Sequence, residues 1–584
     1  MKLTTLTLTV FVLCAVHVPL CKAQGGVQDD AARLTQKLAE QQKQIDALKQ
    51  AIEEQQKMID ALVKTAPQQA TTQPVVQPPV QPSVQPSTQP SAQPASQPTS
   101  NDAPAPSAPG FRRMGGEVAS ITGNLPSTAS TAPAAKPYEQ TPDATAKPLS
   151  FDIGVAKFTP LGFVDLTNVI RSTDVGSGIG TNFNTIPFNN TTAGHLSESR
   201  MSLQNSRLGL RIDSNVLGWN IIGYLETDFL GSAPANLVQT SNSDPLRLRL
   251  FWVDMRSSKF EVLAGQSWSL MTPNRKGISP LPGDIFYSQD MDTNYQVGLT
   301  WARDPGLRLV YHPNDHVAWA LAFENPEQYI GNGIIVNPVN STLATAIGTE
   351  FNSTTQTSAV PNLHPDIISK LAFDGGGEGH AMHLEVAGLY RTFQSYNPVT
   401  NASFKKAGVG GSVNFNLELA PGFHFIANTF FSDGGGRYIF GMGPDLIVRA
   451  DGSISPVHAY STVDGFEYSI KPKNNPKGLE TMLYGYYGGA YYGKNTALDI
   501  SGTTLVPIGY GVNTASASLN ADRSIQEATL GLSQTLWKNP TWGDLKIISQ
   551  YSYLWRDPWY VPSSNTQRKA TSNMVFLDLR YDIP

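Results

Sequence analysis

Cysteine is almost missing from this chain. Of 584 residues only Cys14 and Cys21 carry thiols, and both fall within the first 23 positions. No disulfide framework or thiolate metal site is therefore expected in the body of the protein. Charge is sparse too. Only 15% of residues are charged and the formal net charge is −5, which speaks against a nucleic-acid binder, whose affinity rests on basic side chains meeting phosphates. Beyond residue 20 no stretch reaches the ~18 consecutive apolar residues that a membrane-crossing helix requires. What the chain has instead is Gly 50, Pro 42 and Tyr 21, the residues of turns and strands.

The first 148 residues read as three segments. Lys2, an apolar run from Leu3 to Leu20 and the sequence Cys-Lys-Ala predict a signal peptide over 1–23; Leu20 is too bulky before Cys21 for lipoprotein processing. Over 27–64, Ala31, Leu38, Ile45, Ile52 and Ile59 recur at heptad spacing, with Leu34, Leu48 and Leu62 at the paired positions and Gln41 and Gln55 interrupting. That period predicts a coiled coil about 50 Å long at ~1.5 Å per residue. Residues 65–148, with Gln-Pro about every fourth residue, carry too few large apolar side chains to bury a core and predict an extended linker.

From 149 onward the pattern changes to period two. In SRLGLRIDSNVLGWNIIGYLETDFLG, Leu208, Leu210 and Ile212 alternate with Arg207, Gly209 and Arg211. In PLRLRLFWVDM, Leu246, Leu248, Leu250 and Trp252 alternate with Arg247, Arg249 and Phe251. The alternation lasts to the final strand, where Val575, Leu577, Leu579 and Tyr581 face away from Asp578, Arg580 and Asp582. Connections are alternately long, near 172–200, 230–243, 270–293, 326–364, 395–404, 433–461, 493–522 and 557–570, and short, near 213–216, 256–259, 312–315, 375–379, 420–422, 472–478 and 538–541. Such a series predicts an all-β fold: a 16-stranded antiparallel transmembrane β-barrel over 149–584, preceded by the coiled coil and the Pro/Gln-rich linker, with both barrel ends on the short-turn side. VGLTWARDPGLRLVYHP is taken as one strand with an irregular upper half; two strands there would make eighteen. Trp219, Trp252, Trp319, Trp537 and Trp542 near short turns, with Trp268, Trp555, Trp559 and Tyr560 near long loops, predict two interfacial girdles.

The ordered set SRLGLRIDS, YLETDFLG, LRLRLFWVDM and VLAGQSWSLM resembles the start of the DcaP-like family of trimeric outer-membrane channels. The likeness is clearest over about 200–325. It implies a homotrimer in the bacterial outer membrane, the coiled coil in the periplasm, and passive uptake of small anionic organic solutes such as dicarboxylates. The chain departs from that family in its long Gln-Pro linker and in ending Ile583-Pro584 where such barrels end in an aromatic.

Candidate functional residues follow from the alternation. Arg207 and Arg211, then Glu226 and Asp228, then Arg247 and Arg249 fall on successive inward faces, a basic, acidic and basic ladder. Charged rows inside a pore set ion preference; paired charges also brace a wall. The third long loop carries Arg275, Lys276, Asp284, Asp290 and Asp292, and is expected to fold inward and narrow the pore. No cofactor is called for, and no enzyme. His380 and His383 are three apart on a strand and so face opposite sides, and no nucleophile–His–acid set is evident. Partners are then small solutes and outer-membrane lipid. The alternative reading is a structural anchor, holding the membrane to the cell wall through the coiled-coil stalk.

Overall fold

The structure is a computed structural model and describes residues 149–231, 244–280, 291–330, 360–377, 379–440, 443–470, 479–501, 504–512, 521–539, 542–559 and 570–583. The signal peptide, coiled coil and linker expected from the sequence, together with Asp284, Asp290 and Tyr560, lie outside the described residues.

Sixteen strands close into one antiparallel barrel. In chain order they are β1 (Ala156–Arg171), β2 (Arg207–Val216), β3 (Trp219–Asp228), β4 (Arg247–Arg256), β5 (Phe260–Trp268), β6 (Arg303–Asn314), β7 (Val317–Glu324), β8 (Asp366–Gly375), β9 (Met382–Asn397), β10 (Ala402–Ala420), β11 (Phe423–Asp433), β12 (His458–Ile470), β13 (Thr481–Tyr492), β14 (Asp522–Asn539), β15 (Gly543–Pro558) and β16 (Ala570–Asp582). Each pairs with its sequence neighbour. The ring shuts where Phe163 through Arg171 of β1 meet Asp582 through Met574 of β16. Below that seam the same edge of β1 is covered by Phe151–Ile153, and its other edge carries Glu198–Ser202 above β2. Gly162 sits at the crossing with φ +147; a Cβ there would lie 2.3 Å from the Arg207 carbonyl oxygen, so only glycine fits.

The polarity is that of a soluble protein turned inside out. Leu208, Phe251, Leu530 and Leu577 are exposed on the outer face, while Asp165, Arg171, Arg207, Glu226, Arg249, Glu527 and Arg580 are buried on the inner one. Charged residues are seldom fully buried in water-soluble folds. Lipid outside and a polar interior make the arrangement favourable.

The single-strand reading of VGLTWARDPGLRLVYHP stands: β6 begins at Arg303, and Val297–Ala302 belong to a loop inside the barrel. The long loop expected near 395–404 is instead a four-residue turn, because β9 and β10 pair without a break to Asn397 opposite Ala402. Two tryptophans expected at the interfaces are not there. Trp252 is 3% exposed and stacks on Tyr224 at 5.2 Å, and Trp268 is 1% exposed. The reason for Trp252 is a bulge. Glu226 lies opposite Leu250 and Thr227 opposite Leu248, which leaves Arg249 as an extra residue. One extra residue exchanges the faces beyond it, so Leu250 and Trp252 turn inward while Phe251, Val253 and Met255 meet lipid. Trp319, Trp537 and Trp542 do remain exposed near the short turns.

Candidate functional site

The inner wall of β2–β4 is a continuous ion-pair ladder. Arg207 Nη1 lies 3.6 Å from Glu226, Arg249 bonds Glu226 and reaches Asp228 at 2.9 Å, and Arg247 holds Asp228 at 2.6 Å. The Tyr224 hydroxyl donates to Glu226 at 3.1 Å. Arg211 stands outside this ladder: it forks onto Asp213 of its own strand at 2.7–3.0 Å. Arg207 is the least satisfied member. It is fully buried, its three guanidinium nitrogens have no hydrogen-bond partner, and the ring of Phe163 lies 5.3 Å from its carbon. Removing one partner of a buried pair strands the other charge at ~3–5 kcal/mol, so Glu226, shared by two arginines, is the ladder's keystone.

Opposite this wall the third loop enters the barrel. Its first limb descends the wall of β7–β9 one polar contact at a time. The Ser269 hydroxyl and Leu270 N–H donate to Glu324 at 2.6 Å each; Lys370 Nζ donates to the Thr272 carbonyl at 2.7 Å; Asn274 N–H donates to Glu385 at 3.1 Å. Arg275 then forks onto Glu467 at 2.8 and 2.9 Å, and Gly277 N–H donates to Asp374 at 2.9 Å, level with the short turns. The returning limb is tied to other strands. Met291 N–H reaches Gln550 at 3.2 Å, Val297 N–H reaches Glu527 at 2.9 Å, and Trp301 N–H reaches the Tyr438 carbonyl at 2.9 Å. The limb touches β13 closely enough that a Cβ on Gly488 would lie 1.9 Å from the Val297 carbonyl oxygen. At the upper end Trp268, Tyr295, Trp301 and Phe440 form an aromatic cluster with ring centroids 5.5–6.4 Å apart; each such pair adds about 0.5–1.5 kcal/mol beyond its burial.

The sequence-derived residues therefore divide. Arg207, Glu226, Asp228, Arg247 and Arg249 come together; Arg211 is separate. Arg275 and Lys276 lie at the foot of the loop, with Lys276 exposed. Asp292 does not offer its charge to solute: it accepts the Thr181 N–H at 3.0 Å and the Asn294 N–H at 2.9 Å and is fully buried, and burial pushes its carboxyl above the usual range. Sequence reasoning missed the loop's anchors, Glu324, Lys370, Glu385, Glu467 and Glu527. Their signal was a single charged residue at an inward position of its strand, which does not reveal what it binds. It also missed a second incoming loop, in which Arg437 ties the segment after β11 to Asp304 at 3.3 Å and Asp366 at 3.1 Å.

This geometry defines a fold class: a closed sixteen-stranded antiparallel barrel with a charged interior and an inserted third loop, the architecture seen in porins. Among solved structures, the chain is similar to the outer membrane channel DcaP of Acinetobacter baumannii, with TM-score 0.52 and 16% identity over 73% of this chain and 97% of that one. At that identity the likeness is one of fold. The chain also matches an anion-selective porin from Comamonas acidovorans, at TM-score 0.39 and 11% identity over 73% of this chain and 100% of that one. A third match is OmpF of Salmonella typhi, at TM-score 0.37 and 11% identity over 74% and 100%. No protein-family model matches the chain, and no curated protein is similar to it in sequence.

Proposed function

We propose that this chain is a porin of the bacterial outer membrane through which small hydrophilic solutes diffuse, with a preference for small organic anions of the dicarboxylate type. The observation that carries the reading is the inverted polarity of a closed barrel, with charges buried on the inner wall and large apolar side chains exposed on the outer one. The anion preference is supported by Arg275 and Lys276 at the foot of the loop, and by the field of Arg207, which is fully buried beside Glu226. Arg247 and Arg249 contribute field but are held by Asp228 and Glu226. Glu226, Asp228 and Arg211 complete the lining. The barrel works as a homotrimer, with residues 27–64 as a periplasmic stalk.

The test is conductance of the folded full-length protein in a planar bilayer, with the reversal potential read across a salt gradient. Steps in groups of three, a reversal potential shifted toward anions, and block by a dicarboxylate are expected. A barrel that folds in lipid yet passes no current would overturn the channel reading and favour the anchor.

A further inference from the structure

The outside of the barrel has two unlike faces. From β2 to β8 most outward positions carry large apolar side chains, with Leu208, Phe251, Val253, Leu307, Leu309 and Leu371 exposed, as contact with acyl chains requires. From β12 to β16 the outward positions at mid-strand include polar and small residues. Asp464 is the central residue of β12 and points outward, between the buried Val463 and Gly465. Along one row of paired residues it is followed by Tyr487, Ala528, Tyr553 and Asn573 on the next four strands.

These polar groups are only partly satisfied within the barrel. The Thr462 hydroxyl donates to Asp464 Oδ2 at 3.0 Å, and Asp464 Oδ1 has no donor among the described residues. The Tyr487 hydroxyl donates to the Gln526 side-chain oxygen at 2.6 Å, and the Tyr551 hydroxyl to that of Asn573 at 2.7 Å. Both amide nitrogens are left without an acceptor among the described residues. Bilayer hydrocarbon offers such groups no partner, so each unmade hydrogen bond is costly there and an unpaired carboxylate more so. Beside them Gly485 and Ala528 lie among Phe466, Leu530, Tyr551 and Tyr553, and this relief leaves an open groove of about 520 Å³. Small residues next to polar ones are what close protein contacts inside a membrane use.

We propose that the outer arc of β12–β16 is a contact between copies of this chain, with Asp464 and the groove at Gly485 on one copy facing the amide side of the arc on the next. The heptads over 27–64 already predict that copies associate. The arc also carries its own complement. A carboxylate on β12 lacks donors, and amides on β14 and β16 lack acceptors. In a closed ring each subunit presents two different patches to its two neighbours, so the β12 side of one copy meets the β14–β16 side of the next. The inference rests on the outer-membrane porin reading, because it is in lipid that these groups need a protein cover.

The test is photo-crosslinking of the full-length protein in the outer membrane of producing cells. The photoreactive p-benzoylphenylalanine replaces Tyr553 in one variant and Phe251, on the apolar face, in another. Illumination should join the Tyr553 variant to a second copy, in a band at twice the chain's mass whose peptides come from this chain alone, and the Phe251 variant to lipid. Gly485→Trp fills the groove from outside, against the flexible end of Leu530, and should lower the second-copy yield by about 5-fold or more. Asp464→Leu removes the unpaired carboxylate and should lower it too. Folding of each variant is checked by the heat-induced shift of the barrel on gels. Adducts with lipid or a different protein in place of a second copy, equal second-copy yields from the two positions, or an unchanged yield in the folded variants overturns the proposal. Any of these with current still seen in bilayers would leave the porin reading standing. Second-copy adducts from protein that folds yet passes no current would count against the channel and not against the contact.

Discussion

Two stretches of the inner wall put charged side chains at the same alternate positions and use them differently. On β2–β4 the charges satisfy one another across strands: Arg207, Glu226, Arg249, Asp228 and Arg247 form one chain of ion pairs. On β8–β12 the charges satisfy a loop: Lys370, Glu385 and Glu467 bind the backbone or side chains of Thr272, Asn274 and Arg275. The first wall pairs its charges within its own three strands. The second is complete only with the loop in place, so it couples the width of the lumen to a few separable contacts.

That difference can be broken on either side. The largest effect is expected from Glu226→Ala, which leaves two buried arginines short of a partner; a loss of about 3–5 kcal/mol of barrel stability should be seen in urea unfolding of the refolded protein. A change below about 1 kcal/mol would mean that water or a neighbouring carboxylate replaces Glu226. Arg275→Ala releases the foot of the loop from Glu467. It should cost the barrel itself only about 1–3 kcal/mol, raise single-channel conductance, and make residues 269–280 newly accessible to protease. Unchanged conductance would show that the other anchors hold the limb without it. The smallest effect on stability is expected for Arg207→Ala, since Arg249 still neutralises Glu226. Its effect should fall on selectivity, lowering anion over cation permeability in the reversal potential by about twofold or more. Unchanged selectivity would remove Arg207 from the pore-lining set and leave it as bracing.

Much of the barrel was legible from local signals. In MVFLDLRYDI the period-two pattern places Val575, Leu577 and Leu579 outward and Asp578, Arg580 and Asp582 inward, as found, because alternation needs only the pleat of one strand. Trp252 was misplaced because the bulge at Arg249 is a property of two strands together: the pattern LRLRLFW reads smoothly by itself, and only pairing with Glu226 and Thr227 shows the extra residue. Trp268 was misplaced for a different reason. It stands at the end of β5, where an interfacial tryptophan is expected, but the loop that follows brings Tyr295 and Trp301 back onto it.

By itself the sequence determined the strand number, most of the alternation of long and short connections, and the inward side chains of strands without a bulge, since each follows from short-range periodicity and turn residues. Tertiary structure decided where the ring closes, which inward charges pair with each other and which with a loop, and how the third loop travels from Trp268 to the short-turn end beside His316 and Asp374. Those contacts join residues from 19 positions apart, as between Asp228 and Arg247, to 415 apart, as between Asp165 and Arg580. A one-dimensional pattern can mark a charged residue as facing inward, but its partner is chosen only when the barrel has closed around it.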